Sequence, residues 1–249
     1  MIRMLHLFPN LMNLYGDWGN AAVLAGALER MGASVELVET DNADRVDPRS
    51  FDWVFIGAGT ERRTAFAARR LADKAGAFAE AAEAGTAMLF TGSACELACR
   101  RIEGGDEPLA GLGLFDAVVR RTEERQTGDV LYASDLSDRL CAGFLNKSGF
   151  LITEEAPLFR PVFGPGSFED GHQLDADGEG LARGGVIATY VTGPILVRNP
   201  WLKRIVADGI FSRACPGAVP RPYDDGAAEK GWKVTVSELE KRKAAAAGR

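Results

Sequence analysis

Short, continuous apolar runs alternate with helix-spaced apolar positions through the first half of the chain. Ile2 to Phe8 is an apolar run ended by Pro9, which reads as a strand. Between Trp18 and Met31, the residues Val23, Leu24, Leu28 and Met31 recur at helical spacing, and Gly32 stands just past the end. Val35 to Val38 alternates with charged positions and predicts a strand, and Trp53 to Ile56 predicts a buried strand closed by Gly57. Arg62 to Ala84 reads as one long Ala-rich helix ended by Gly85. Ala87 to Thr91 predicts another buried strand, turning at Gly92 into a helix from about Ala94. Buried strands alternating with helices predict an α/β fold: three layers around a mostly parallel central sheet. Ligands of such sheets sit outside the carboxyl ends of the strands, here after Phe8, Ile56 and Thr91.

The second half is richer in turns. Leu112 to Val119, Val130 to Tyr132 and Phe144 to Ile152 are strand candidates, and Phe159 to Gly180 reads as a surface loop rich in Gly, Pro and acidic residues. Gly185 to Val191 predicts a last core strand and Pro200 to Phe211 an amphipathic helix. Pro216 to Gly231 reads as a linker, and Val236 to Ala247 as a terminal helix. The expected organisation is a domain over residues 1–213, followed by a linker and helical tail over 214–249.

Composition narrows the function classes. The 249 residues are 46% hydrophobic and 26% charged, as in ordinary globular proteins. With 29 basic and 35 acidic residues the formal charge is -6, which opposes binding to nucleic acid or to an anionic membrane surface. No apolar run approaches a membrane span, and the opening residues lack the basic start and cleavage site of a signal peptide. The expectation is a cytoplasmic protein with reduced thiols, since four cysteines are too few to staple a chain of this size. Cys95 and Cys99, four apart on the expected helix, have only His6 and His172 as histidine company, so neither a metal site nor a cofactor is expected.

Three glycine-bearing turns follow predicted strands: Gly57-Ala58-Gly59, Gly92-Ser93-Ala94 and Thr192-Gly193-Pro194. Such turns present backbone N–H groups that bind anions or form an oxyanion hole, or they serve only as tight connections. None is a P-loop or a dinucleotide fingerprint.

Read together, the turns carry a resemblance. The opening LFPNLMNLYGDWGN (7–20) resembles that of the CobB/CobQ-like class I glutamine amidotransferases, and among them the GatD-type glutaminase subunits of lipid II isoglutaminyl synthase. WVFIGAGTERR (53–63), GLGLFDAVV (111–119), RQTGD (125–129), GFLNKSG (143–149), GEG (178–180) and GVIATYVTGPILVRNPWL (185–202) resemble further family segments, in the family's order. The resemblance implies a flavodoxin-like three-layer fold and a glutaminase subunit that passes ammonia to a partner. It implies a cysteine nucleophile at the sharp turn after a core strand and a histidine base at the end of the last strand. It assigns oxyanion-hole backbone to the turn of Gly57 and Gly59, with Ser93 beside it. Arg125 and Asn146 are the implied substrate-binding residues, although Arg125 reads equally as one of the surface charges between Arg120 and Arg125.

At both catalytic positions the chain departs from the family pattern. Where the family elbow has C-G-G-[YF]-Q-L this chain has GSACEL, which sets Gly92 at the nucleophile. Where the family's last strand has G-T-Y-L-H-G-P this chain has ATYVTGP, which sets Thr192 at the histidine. Leu145 and Lys147 replace the Glu and His of the family's G-F-E-N-H-x-G stretch. Glycine has no side chain to attack with, and threonine is no base near neutral pH. The resemblance therefore implies a subunit that has lost glutaminase chemistry, binds or regulates a MurT-like Mur ligase in peptidoglycan precursor amidation, and keeps glutamine as a candidate ligand. The alternative is an active glutaminase, serving lipid II or cobyric-acid-type amidation, with its nucleophile moved to Cys95 and His172 as base.

Overall fold

The computed structural model describes residues 1–105, 107–169 and 178–247. Its central sheet is built from β1 (Ile2–Leu7), β2 (Val35–Thr40), β3 (Trp53–Ile56), β4 (Ala87–Thr91), β10 (Leu181–Arg183) and β11 (Val186–Thr189). The strand order is β10-β11-β4-β3-β1-β2, parallel throughout except for the antiparallel β10 at one edge. β3 is wholly buried, as expected of a strand covered on both faces, and the core runs from Met4 and Phe55 to Phe90 and Ala188.

Two connections make the sheet an open, doubly wound one. From β1 the chain passes through α1 (Gly19–Arg30) outward to β2. From β3 it passes through α2 (Glu61–Leu71) and α3 (Ala75–Glu83) in the opposite direction to β4. Right-handed crossovers that wind in opposite directions place their helices on opposite faces. The loops leaving β1 and β3 consequently diverge, and a crevice opens between them at the carboxyl ends of the strands.

The single long helix expected over 62–84 is two helices. Thr60 caps α2 by accepting the Arg63 N–H at 3.3 Å, and the chain tightens to a 3-10 turn over Ala72–Lys74 before α3 begins. The helix expected from about Ala94 is only one turn, α4 (Cys95–Ala98), and Cys99 opens β5 (Cys99–Glu103). The cause is a tertiary contact. The Leu112 N–H bonds the Leu97 carbonyl at 2.7 Å and the Gly113 N–H bonds Cys99 at 3.0 Å. A Cβ on Gly111 would lie 2.0 Å from the Cys99 carbonyl oxygen, so this approach requires glycine.

β5 belongs to a second sheet with β6 (Leu109–Ala110), β7 (Phe115–Ser134), β8 (Ser137–Thr153) and β9 (Arg160–Phe163). The three separate strand candidates between 112 and 152 are in fact the long antiparallel β7–β8 hairpin, and part of the expected loop over 159–180 is β9, paired with β7. After β11 come α5 (Ile195–Arg198), α6 (Pro200–Ala214) and α7 (Gly226–Ala247). The last helix thus begins inside the expected linker. It lays Val236 and Leu239 against Leu131 and Ala142, and Arg139 forms an ion pair with Glu229. Among the described residues no helix is long and apolar enough to cross a membrane.

Candidate functional site

The crevice predicted by the winding is occupied by a pocket of about 260 Å³. The turn after β1 supplies Leu14 and Tyr15, and the turn after β3 supplies Gly59, Thr60 and Glu61. Ser93 and Glu96 come from the elbow after β4, Arg125 from β7, Asn146, Lys147 and Ser148 from β8, and Tyr190 from the end of β11. Of the residues singled out in the sequence, Gly59, Ser93, Arg125 and Asn146 therefore meet in one cavity. Gly57 does not line it and passes instead against the Met12 carbonyl and Asp17.

The rim is organised by a guanidinium. Arg125 pairs with Glu61 and donates to Asn146 Oδ1 at 2.8 Å, and Asn146 Nδ2 donates to the Tyr15 hydroxyl at 2.7 Å. Deeper in, Glu96 is buried and accepts from Arg121 Nε at 2.8 Å, with the Tyr190 hydroxyl at 3.3 Å. Burial pushes the Glu96 carboxyl up, and the charge and hydrogen bonds of Arg121 resist the rise. Lys147, 3% exposed, donates to the Gly149 carbonyl at 3.1 Å.

Behind the pocket lies the turn that joins β4 to α4. Gly92 sits there in the left-handed region, at φ +55°. A Cβ built on it would lie 2.6 Å from the Ala58 Cβ and 3.9 Å from the Thr192 Cβ, so Gly92 and Thr192 face each other across a space that the Ala58 methyl already closes. The neighbouring N–H groups are occupied as well. Ala58 N donates to Asp17 Oδ2 at 2.7 Å, and Gly59 N donates to Ser93 Oγ at 2.9 Å. Ser93 Oγ also meets the Gly59 carbonyl at 2.9 Å and the Thr64 hydroxyl at 2.8 Å, so its hydroxyl is held on several sides.

Asp17 is the functional-type residue that sequence reasoning missed. It is fully buried and accepts from Thr91 Oγ1 at 2.7 Å and Thr192 Oγ1 at 3.4 Å in addition to Ala58 N. Burial pushes its carboxyl up to about 6, against the pull of those hydrogen bonds. The available signal was an acid inside the glycine-flanked turn YGDWGN, between a strand and a helix.

The two relocated-chemistry candidates fare differently. Cys95 is wholly buried beneath the elbow, and burial raises its thiol well above the usual range. His172 lies outside the described residues.

No protein-family model matches the chain. The GatD subunit of lipid II isoglutaminyl synthase (glutamine-hydrolyzing) from Streptococcus pneumoniae is 30% identical over 202 residues, covering 80% of this chain and 76% of that protein. The subunit of the same name from Staphylococcus aureus is 26% identical over 243 residues, covering 96% of each chain. Among solved structures, the glutaminase domain of Trypanosoma brucei CTPS superposes with a TM-score of 0.53 at 10% identity, covering 90% of this chain and 98% of that one. A glutamine amidotransferase from Thermotoga maritima superposes with a TM-score of 0.51 at 11% identity, covering 97% of each. The solved structures share the fold, and the similarity in sequence goes further: the chain belongs to the GatD family of glutamine amidotransferase subunits.

Proposed function

We propose that this chain is a GatD-like subunit that has lost glutaminase chemistry and acts in lipid II amidation as a non-catalytic binding or regulatory partner of a MurT-like ligase. The observation that carries the reading is the elbow after β4. Gly92 has the left-handed backbone that a sharp nucleophile turn requires, but no side chain, and the Ala58 methyl stands where a side chain would go. On this reading Gly92 takes the place of the family cysteine and Thr192 that of the family histidine.

Three further features support it. The Thr192 hydroxyl, which donates to Asp17, is itself no general base near neutral pH. The N–H groups of Ala58 and Gly59, the natural donors to an oxyanion, are spent on Asp17 and Ser93. Cys95 neither lines the pocket nor has the electropositive, accessible setting of a reactive thiol. The pocket itself remains open, with Arg125 and Asn146 on its rim, which fits a retained binding role for glutamine or a like molecule.

The test is glutamate release from glutamine by the purified chain, alone and with a MurT-like ligase from the same cell, beside a Cys95→Ala variant. The expected result is no release above the buffer rate in any arm. Release that disappears in Cys95→Ala would replace this reading with that of an active glutaminase. Release that persists in that variant would mean a nucleophile elsewhere and would equally end it.

A further inference from the structure

Four residues of β7 stand opposite one residue of β8 beside the pocket. The ladder pairs Arg121 with Gly149 and next Gln126 with Lys147, so Thr122, Glu123, Glu124 and Arg125 face Ser148 alone. Five steps along β7, ~17 Å of extended chain, are set against two steps of β8, ~7 Å. The surplus has to arch away from the sheet. Glu123, Glu124 and Arg125 are exposed on this arch. We propose that the arch is a flap over the mouth of the pocket, hinged at Arg121 and Gln126 and latched by Arg125. This gating is independent of the loss of glutaminase chemistry, because it uses neither the elbow nor glutamine.

The ends of the flap are fixed and its middle is held lightly. At one end Arg121 Nε donates to the buried Glu96 at 2.8 Å. At the other end Gln126 is back in the ladder opposite Lys147. Between them the Thr122 hydroxyl lies 3.2 Å from the Glu124 carbonyl and 3.3 Å from that of Ser148, and can donate to only one at a time. The firm side-chain tie is Arg125. It pairs with Glu61 at the start of α2 and donates to Asn146 Oδ1 at 2.8 Å, and Asn146 passes the link on to the Tyr15 hydroxyl. Arg125 thereby joins the flap to the turns after β3 and after β1, on the two sides of the crevice, and it lines the cavity itself.

Hinge and latch differ in strength for a physical reason. The Arg125 and Glu61 side chains are 46% and 41% exposed, against 10% and 3% for Arg121 and Glu96. Water competes for the first pair and is excluded from the second, so the latch opens easily while the hinge stays in place. Opening takes the Arg125 guanidinium off the cavity wall and widens the way to Ser93 and Ser148.

The test compares the full chain with Glu61→Gln, Arg125→Ala and a control, Arg160→Ala, which breaks an exposed pair with Asp135 that does not line the pocket. Endoproteinase Glu-C, which cuts after glutamate, reads the flap at Glu123 and Glu124 in the folded proteins. Cleavage there should be about threefold faster in Glu61→Gln, faster again in Arg125→Ala, and unchanged in Arg160→Ala. In a Ser148→Cys background, maleimide labelling at position 148, mapped by peptide mass spectrometry, reads access to the cavity. Adding Arg125→Ala should raise that labelling rate at least about twofold. Equal cleavage in the wild type, Glu61→Gln and Arg125→Ala overturns the latch. Faster cleavage without faster labelling overturns the gating.

Discussion

Two neighbouring regions at the carboxyl ends of the strands differ sharply. The corner around Gly92, Thr192, Asp17 and Ala58 is closed: each polar group is bonded to another protein group, and the one position without a side chain faces a methyl. The pocket a few residues away is open and lined by charged and hydroxyl side chains, with an arginine on its rim. On the proposed reading, a binding cavity and a reacting centre part company within one fold. Reactivity rests on a few atoms at one turn, whereas the cavity is shaped by six separate chain segments.

The buried Glu96–Arg121 pair lies on the pocket side, where Glu96 lines the wall, and breaking it has the largest expected effect. Arg121→Met strands a carboxylate whose side chain is 3% exposed, and should cost about 3–5 kcal/mol in urea unfolding. Adding Glu96→Leu to that variant removes the unpaired charge and should recover most of the loss.

Acidity separates the regions next. Asp17 titrates at about 6 in the folded chain against an ordinary value of 3.8, so the folded state binds this proton more tightly than the unfolded state. Its penalty is absent below about pH 4 and complete above about pH 6. Stability should accordingly fall by a few kcal/mol relative to an Asp17→Asn variant as pH rises through that window. Parallel denaturation curves for the two proteins between pH 4 and 7 would show that Asp17 is not the responsible group.

Refilling the elbow tests whether the closed corner is closed by packing. Gly92→Cys forces a Cβ to within 2.6 Å of Ala58 at a positive φ and should destabilise by about 1–3 kcal/mol. Ala58→Gly added to it should return the part due to the clash, and thermal melts of the two variants measure that difference. The smallest effect is expected at the open rim. Arg125→Ala breaks a half-exposed pair with Glu61 and should change unfolding stability by less than about 1 kcal/mol. A larger change would mean that the rim is part of the core rather than a binding surface.

Much of this was legible from the residues. β3 and the first four residues of β4 are unbroken apolar runs, because a strand buried on both faces has no polar position to interrupt it, and β1 is apolar apart from Arg3 and His6. Gly59, Ser93, Arg125 and Asn146 were identified before their common cavity was. The helix after Gly92 is shorter than its spacing predicts because that spacing continues past Ala98, whereas the chain is turned aside by the loop at Gly111, outside the local helical pattern. β7 and β8 were read as fragments because their charged stretches carry no apolar alternation, and cross-strand pairing supplies what local pattern lacks.

The sequence by itself determined the doubly wound α/β class, the crevice after the first, third and fourth strands of the sheet, and the family. These follow from hydrophobic periodicity and from motif order, both of which are properties of a line of residues. Only the tertiary structure decided that Asp17 lies buried behind the elbow, that Ala58 closes the space beside Gly92, that Cys95 is sealed away, and that Lys147 lines the pocket. Each of those facts depends on groups 30 or more residues apart coming within a few ångströms, and burial and its effect on charge exist only once that distance has been closed.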